Sequence, residues 1–102
     1  MSTQFQIERG DAAHVRVAGA IGFAGADMAL ARGAELYAAG ANEVVVDVSG
    51  LRDVDSATLA ILLAWAARAR DRGVTLRFAG IPSGLRALAH LCDAEPLLGI
   101  AA

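Results

Sequence analysis

Three consecutive β-branched residues, Val44-Val45-Val46, stand between two stretches of helical periodicity, and each stretch is closed by a glycine. The first runs from about Ala26 to Ala39 and meets Gly40; the second runs from Ser56 to Arg72 and meets Gly73. Glycine is the residue that helices most often end on. Beyond Gly73, Val74, Leu76 and Phe78 alternate with Thr75 and Arg77, a one-faced strand. Strand-helix-strand order of this kind demands parallel pairing with right-handed crossovers. The central strand is expected over Glu43 to Val48, and its unbroken apolar run predicts burial on both sides.

The rest of the chain completes this frame. Phe5 and Ile7 alternate with Gln4, Gln6 and Glu8, and Val15 and Val17 alternate with His14 and Arg16. Gly10-Asp11 between them is a turn signal, so the two segments read as an antiparallel hairpin. Gly19, Gly22 and Gly25 punctuate the loop that follows. A last helix is expected over Ser83 to Cys92, with Leu85, Leu88, Ala89 and Cys92 at helical spacing. The tail through Pro96, Leu97, Leu98 and Ile100 predicts a short final turn or strand. The order ββαβαβα describes an α/β domain with a four-stranded mixed sheet. Strands with one polar face place the helices mainly on one side of that sheet and leave the other side wet.

A chain of 102 residues, 56% hydrophobic, suits one self-sufficient domain spanning residues 1–102 and is far from disorder. Its net charge of -2 offers no general attraction for nucleic acid. All nine basic residues are Arg. Without Lys there is no Walker A loop and no lysine Schiff base. No apolar run reaches the roughly 18 residues needed to cross a bilayer, which predicts no direct membrane insertion. The polar, alternating N-terminus lacks a signal-peptide core. These features together lead us to expect a cytoplasmic protein.

The catalytic inventory is poor. Cys92 is the single cysteine and has no intrachain partner. His90 lies two residues before it, a spacing that does not share a helix face, so the pair is not a metal site. We read a surface His90 and a core Cys92. No G-x-S-x-G elbow is present, and Gly19, Gly22 and Gly25 do not match the dinucleotide fingerprint. The expectation is a binding module with no catalytic residues, no metal and no cofactor.

The informative stretch is Val45-Val46-Asp47-Val48-Ser49-Gly50-Leu51-Arg52-Asp53-Val54-Asp55-Ser56-Ala57-Thr58-Leu59. A strand ends, an acidic loop follows and a helix begins. Asp55 is a good N-cap, with Ser56 and Thr58 in the first turn. A phosphate on Ser56 would be stabilised by the helix N-terminus, although an ordinary cap explains the same residues. Along this helix Leu59, Leu62, Leu63 and Ala66 form one stripe at about 100° per residue, which is expected to face the sheet. Ile61 and Trp65 fall on the side of Thr58, Arg68 and Arg72. An Ile/Trp pair rimmed by Arg has interface composition; packing of Trp65 against a neighbouring helix is the alternative.

These residues resemble a STAS domain. The resemblance is carried by the opening hairpin and by the strand-loop-helix from Val44 to Ala60. It is carried also by the strand after Arg72-Gly73 with the following Gly80-Ile81-Pro82-Ser83-Gly84-Leu85 segment. It covers nearly the whole chain in order and spacing. Two branches are relevant. In anti-sigma-factor antagonists the loop typically reads Asp-Ser-Ser/Thr-Gly-Leu, and one hydroxyl is phosphorylated by a partner kinase. Here Asp55 takes the Asp and Ser56 the first hydroxyl, Ala57 falls at the second hydroxyl, and Thr58 replaces the Gly.

The chain also resembles the small, standalone STAS subunit of the bacterial phospholipid-transport ABC system, the Mla B type. That resemblance implies a non-enzymatic accessory subunit in the cytoplasm, at the inner face of the membrane through its partner. The partner it implies is the transporter's ATPase subunit, and the process is maintenance of outer-membrane lipid asymmetry. The alternative partner is an anti-sigma-factor kinase. Ser56 inherits the functional hydroxyl of the transporter branch; in the antagonist branch, where the second position is the acceptor in one subgroup and is Ala57 here, Ser56 is the hydroxyl left for phosphorylation. The expected partner-binding or switch residues are Asp55, Ser56, Thr58, Ile61, Trp65, Arg68 and Arg72.

Overall fold

Four strands pair side by side in chain order. The computed structural model describes residues 5–22, 25–38 and 40–99. β1 (Phe5–Asp11) and β2 (His14–Gly19) form the antiparallel hairpin, β3 (Glu43–Leu51) runs parallel to β2, and β4 (Thr75–Ala79) runs parallel to β3. Val15 stands beside Val46 and Val46 beside Phe78, so one apolar row crosses the middle of the sheet. Between the strands lie α1 (Ala26–Arg32), α2 (Ala34–Tyr37) and α3 (Ser56–Asp71), and after β4 come α4 (Ser83–Leu91) and a 3-10 turn (Glu95–Leu98). The α/β architecture with a four-stranded mixed sheet is the expected one.

The sheet has a dry face and a wet face. Phe5, Val15, Val17, Val44, Val46, Leu76 and Phe78 are buried, while Gln6, Glu8, Arg16, Thr75 and Arg77 are exposed. Gln4, expected among the exposed set, lies outside the described residues. Ile7 is half-buried rather than buried, as suits the outer strand. The expectation of two-sided burial for β3 does not hold: Val45 is only partly covered. Its register neighbours on the wet face are His14 and Arg77, both exposed, so it is shielded by side chains rather than by a helix layer. On the same face Arg77 pairs with Glu43.

Local chemistry shifted several boundaries. The hairpin turns at Ala12-Ala13, not Gly10-Asp11. Asp11 Oδ1 accepts the Ala13 N–H at 2.8 Å and lies 2.9 Å from His14 Nδ1, so the aspartate side chain builds the turn. These contacts hold the Asp11 carboxyl below its ordinary range, with the His14 hydrogen bond foremost. β3 runs to Leu51, beyond the expected Val48, because β2 continues beside it to Gly19. Ser49-Gly50 has loop composition, yet a Cβ on Gly50 would approach Ala18 Cβ to 2.8 Å. Close strand approach therefore favours glycine there.

The first helical stretch is not one helix. It is interrupted at Gly33 and its second piece ends at Tyr37, short of Gly40. The Gly33 N–H bonds to Leu30 O, and Ala29 O accepts instead the indole N–H of Trp65 at 2.9 Å. Trp65 occupies the space into which any side chain at position 33 would project. Trp65 is fully buried and its ring lies 5.9 Å from that of Phe5.

This corrects the rotation assigned to α3. Ile61 is 6% exposed and Trp65 0%, while Leu63 is only partly buried. The helix touches α1, α2, β4, α4 and the 3-10 turn, so it is covered on more than the one side that a single apolar stripe assumes. Cys92 likewise departs from its expected core position. It caps α4 and is exposed, and the interior near the chain end is filled by Ala89, Ala94 and Leu98.

Candidate functional site

The β3–α3 loop delivers the start of α3 to the surface. Leu51 is buried and anchors one end; Arg52 and Asp53 are exposed. Asp53 has φ of 54°, a left-handed conformation that a short polar side chain tolerates. Asp55 then caps α3. Its Oδ1 accepts the Thr58 N–H at 2.9 Å and the Thr58 hydroxyl at 3.0 Å, while Thr58 Oγ1 accepts the Asp55 N–H at 3.3 Å. This is a reciprocal capping box, with Thr58 in the place more often taken by Glu or Gln.

The box divides the two hydroxyls by role. Thr58 is 1% exposed and its oxygen is committed to Asp55 in both directions. It is a structural residue and is not presented to a partner. Ser56 is exposed, stands at the first position of a 16-residue helix and takes no part in the box. Its surroundings combine the positive end of the helix dipole with the carboxylates of Asp53 and Asp55. The cap fixes the Ser56 backbone without using its side chain. The hydroxyl is therefore available for a hydrogen bond or for modification.

The outward face of α3 beyond Ser56 is uncharged. Ala60 and Ala67 are exposed, Leu63 and Ala64 are partly so, and no charged residue occurs from Ser56 to Ala67. Arg68 and Arg72 follow, both exposed. Arg68 lies about 18 Å from Ser56 along the helix axis, at about 1.5 Å per residue. The seven residues singled out from sequence do not converge on one point. Ser56 marks one end of α3, Arg68 and Arg72 mark the other, and Thr58, Ile61 and Trp65 belong to the interior.

Sequence reasoning missed the residues that face Arg68 and Arg72. Leu30, Ala34 and Tyr37 reach them only because α1 and α2 pack on α3, and none carries a local signal. The Arg72 guanidinium carbon sits 5.6 Å from the centroid of the Tyr37 ring. Elsewhere the polar chemistry is ordinary. His90 pairs with Glu95 at 3.1 Å. Among the described residues no group of three His, Cys, Asp or Glu side chains is placed to hold a metal ion. No described helix is long and apolar enough to cross a membrane.

Comparison with known proteins gives one finding. Residues 5–99 match the family described as "Mlab, STAS domain". No curated protein matches the chain. The matched span takes in the hairpin, the capped β3–α3 junction and the segment through α4 and the 3-10 turn. The chain belongs to the STAS domain family.

Proposed function

We propose that the protein is a non-enzymatic accessory subunit that docks on the ATPase subunit of a bacterial phospholipid-transport ABC transporter. Docking uses the Ser56 end and the uncharged face of α3. One observation carries the reading: Ser56 is an exposed hydroxyl on a helix start held by a capping box, next to a helix face with no charge for three turns. Solvent-facing helix surfaces are normally charged. An uncharged one beside a fixed hydroxyl suits a partner that packs closely and takes one hydrogen bond. The family description, which names the Mla B type, points the same way.

Co-purification of the full chain with the ATPase from the same genome tests this. The wild type and Ser56→Thr should both retain the ATPase, since each keeps a short hydroxyl. Ser56→Arg should weaken the complex at least about tenfold, equivalent to about 1.4 kcal/mol, while the domain stays folded. An ATPase that fails to bind the wild type sinks the reading.

A second reading has its own support. Exposure of Ser56 at a helix N-terminus also suits a phosphate, which adds roughly -1.5 to -2 charge and would transform this surface beside Asp53 and Asp55. That reading is an anti-sigma-factor antagonist whose partner is a kinase. Intact-mass measurement of protein from its own cells separates the two. A substantial population heavier by one phosphate selects the antagonist; its absence, together with ATPase binding, selects the transporter subunit.

A further inference from the structure

Arg68 and Arg72 form one wall of a surface groove of about 380 Å³, and Leu30, Ala31, Ala34 and Tyr37 of α1 and α2 form the other. The second wall is uncharged. Asp71 also lines the groove, which leaves its lining with two positive charges against one negative. Among the described residues the arginines in ion pairs are Arg32, with Glu35, and Arg77, with Glu43, and neither Arg68 nor Arg72 is in one. The cation–π contact of Arg72 with Tyr37 joins the two walls and holds one guanidinium at the groove.

The chemistry selects a ligand class. A guanidinium is always charged and presents a planar fork that matches a carboxylate. An apolar wall opposite two such forks fits a segment with aliphatic side chains on one side and carboxylates on the other. Because the protein is acidic overall, with net charge -2, attraction for such a segment is local to this groove. We propose that the groove between α1–α2 and the C-terminal half of α3 docks an acidic amphipathic segment of a partner protein, with Arg68 and Arg72 pairing its carboxylates. The proposal deepens the docking-subunit reading by naming the kind of segment the partner supplies. It lies at the opposite end of α3 from Ser56, so the two contacts are separable.

Full-length protein is titrated, by fluorescence anisotropy, into two labelled helical peptides. They share a leucine face and differ only in carrying Glu or Lys on the other face. The Glu peptide should bind at least tenfold tighter, and its advantage should shrink as salt is raised, because exposed charges are screened. The double variant Arg68→Glu/Arg72→Glu should invert the preference. Ala31→Glu, on the opposite wall, should weaken the Glu peptide at least threefold with both arginines intact. Circular dichroism melts confirm that these surface variants fold.

Equal affinity for the two peptides, or a Glu preference that survives the double variant, overturns the proposal. So does self-association in sedimentation that the double variant abolishes, which assigns the groove to a second copy of the chain. In a competition arm saturating Glu peptide should weaken ATPase binding at least threefold, with the Ser56 contact left in place. An ATPase that binds with the same affinity with and without the peptide overturns the assignment of the groove to the partner. If the Glu peptide behaves as expected and the ATPase does not bind the wild type, the groove assignment stands and the transporter reading falls.

Discussion

Gly33 has an ordinary helical backbone, φ -56° and ψ -27°, so alanine there would gain helix propensity of about 1 kcal/mol. The space for its Cβ is filled by Trp65 Cδ1 and Nε1. Overpacking a rigid ring costs about 1–3 kcal/mol, and the ring cannot retreat without giving up its bond to Ala29 O. Gly33→Ala should therefore lower stability in urea titration despite its better propensity. Trp65→Ala should cost about 3–5 kcal/mol and Trp65→Phe about 1–3 kcal/mol, the latter from an Ala29 carbonyl left unpaired. Gains in stability at either site would contradict the packing described. Asp47 supplies a pH signature at the same scale. The Ser49 N–H donates to its Oδ1 at 2.9 Å and holds its carboxyl below the ordinary 3.8. A lowered carboxylate stabilises the fold above its unfolded value, and that contribution is lost as pH falls through the folded one. Carbon-detected NMR titration should place the Asp47 midpoint below 3.8.

At the scale of elements, α3 carries both structure and site, and substitution can separate them. Asp55→Ala removes the acceptor for Thr58 and should cost about 0.5–2 kcal/mol. Ser56→Ala lies outside the capping box and should stay within about 0.5 kcal/mol of the wild type. If Ser56→Ala is as destabilising as Asp55→Ala, the hydroxyl is structural and the docking argument loses its base. The helix rotation makes a second comparison. Leu62→Ala should cost about 2–5 kcal/mol, and Ile61→Ala should fall in the same range because it too is buried. Leu63→Ala should cost less, since Leu63 is only partly buried.

Across the whole molecule the one-sided sheet sets where change is tolerated. Leu76 and Thr75 are neighbours on β4 that point to opposite faces, one buried and one exposed. Leu76→Ala should cost about 2–5 kcal/mol, and Thr75→Ala should be within about 0.5 kcal/mol, in the same chemical denaturation series. Comparable losses at both would mean that a further layer covers the wet face. The helical layer is built differently. There α3 sits between α1–α2 on one side and α4 with the 3-10 turn on the other. The groove at its C-terminal end lies where the two short pieces α1 and α2 cover that flank.

Period-2 alternation was enough to read the sheet from sequence, because a strand has two faces and β1, β2 and β4 each wet one of them. The start of α3 was legible for a similar reason. Capping chemistry is local, and Asp55 and Thr58 need only each other. Helix rotation was not local. A single stripe of Leu59, Leu62, Leu63 and Ala66 assumes one covering surface, whereas α3 is covered on several sides, and only the packed structure shows that Ile61 and Trp65 face inward. The break at Gly33 has the same origin, since the tryptophan that enforces it lies 32 positions away in the chain. The exposed Ser56 was thus within reach of sequence reasoning. The groove at Arg68 and Arg72 was decided by tertiary contact, because its second wall comes from helices that carry no signal until they dock.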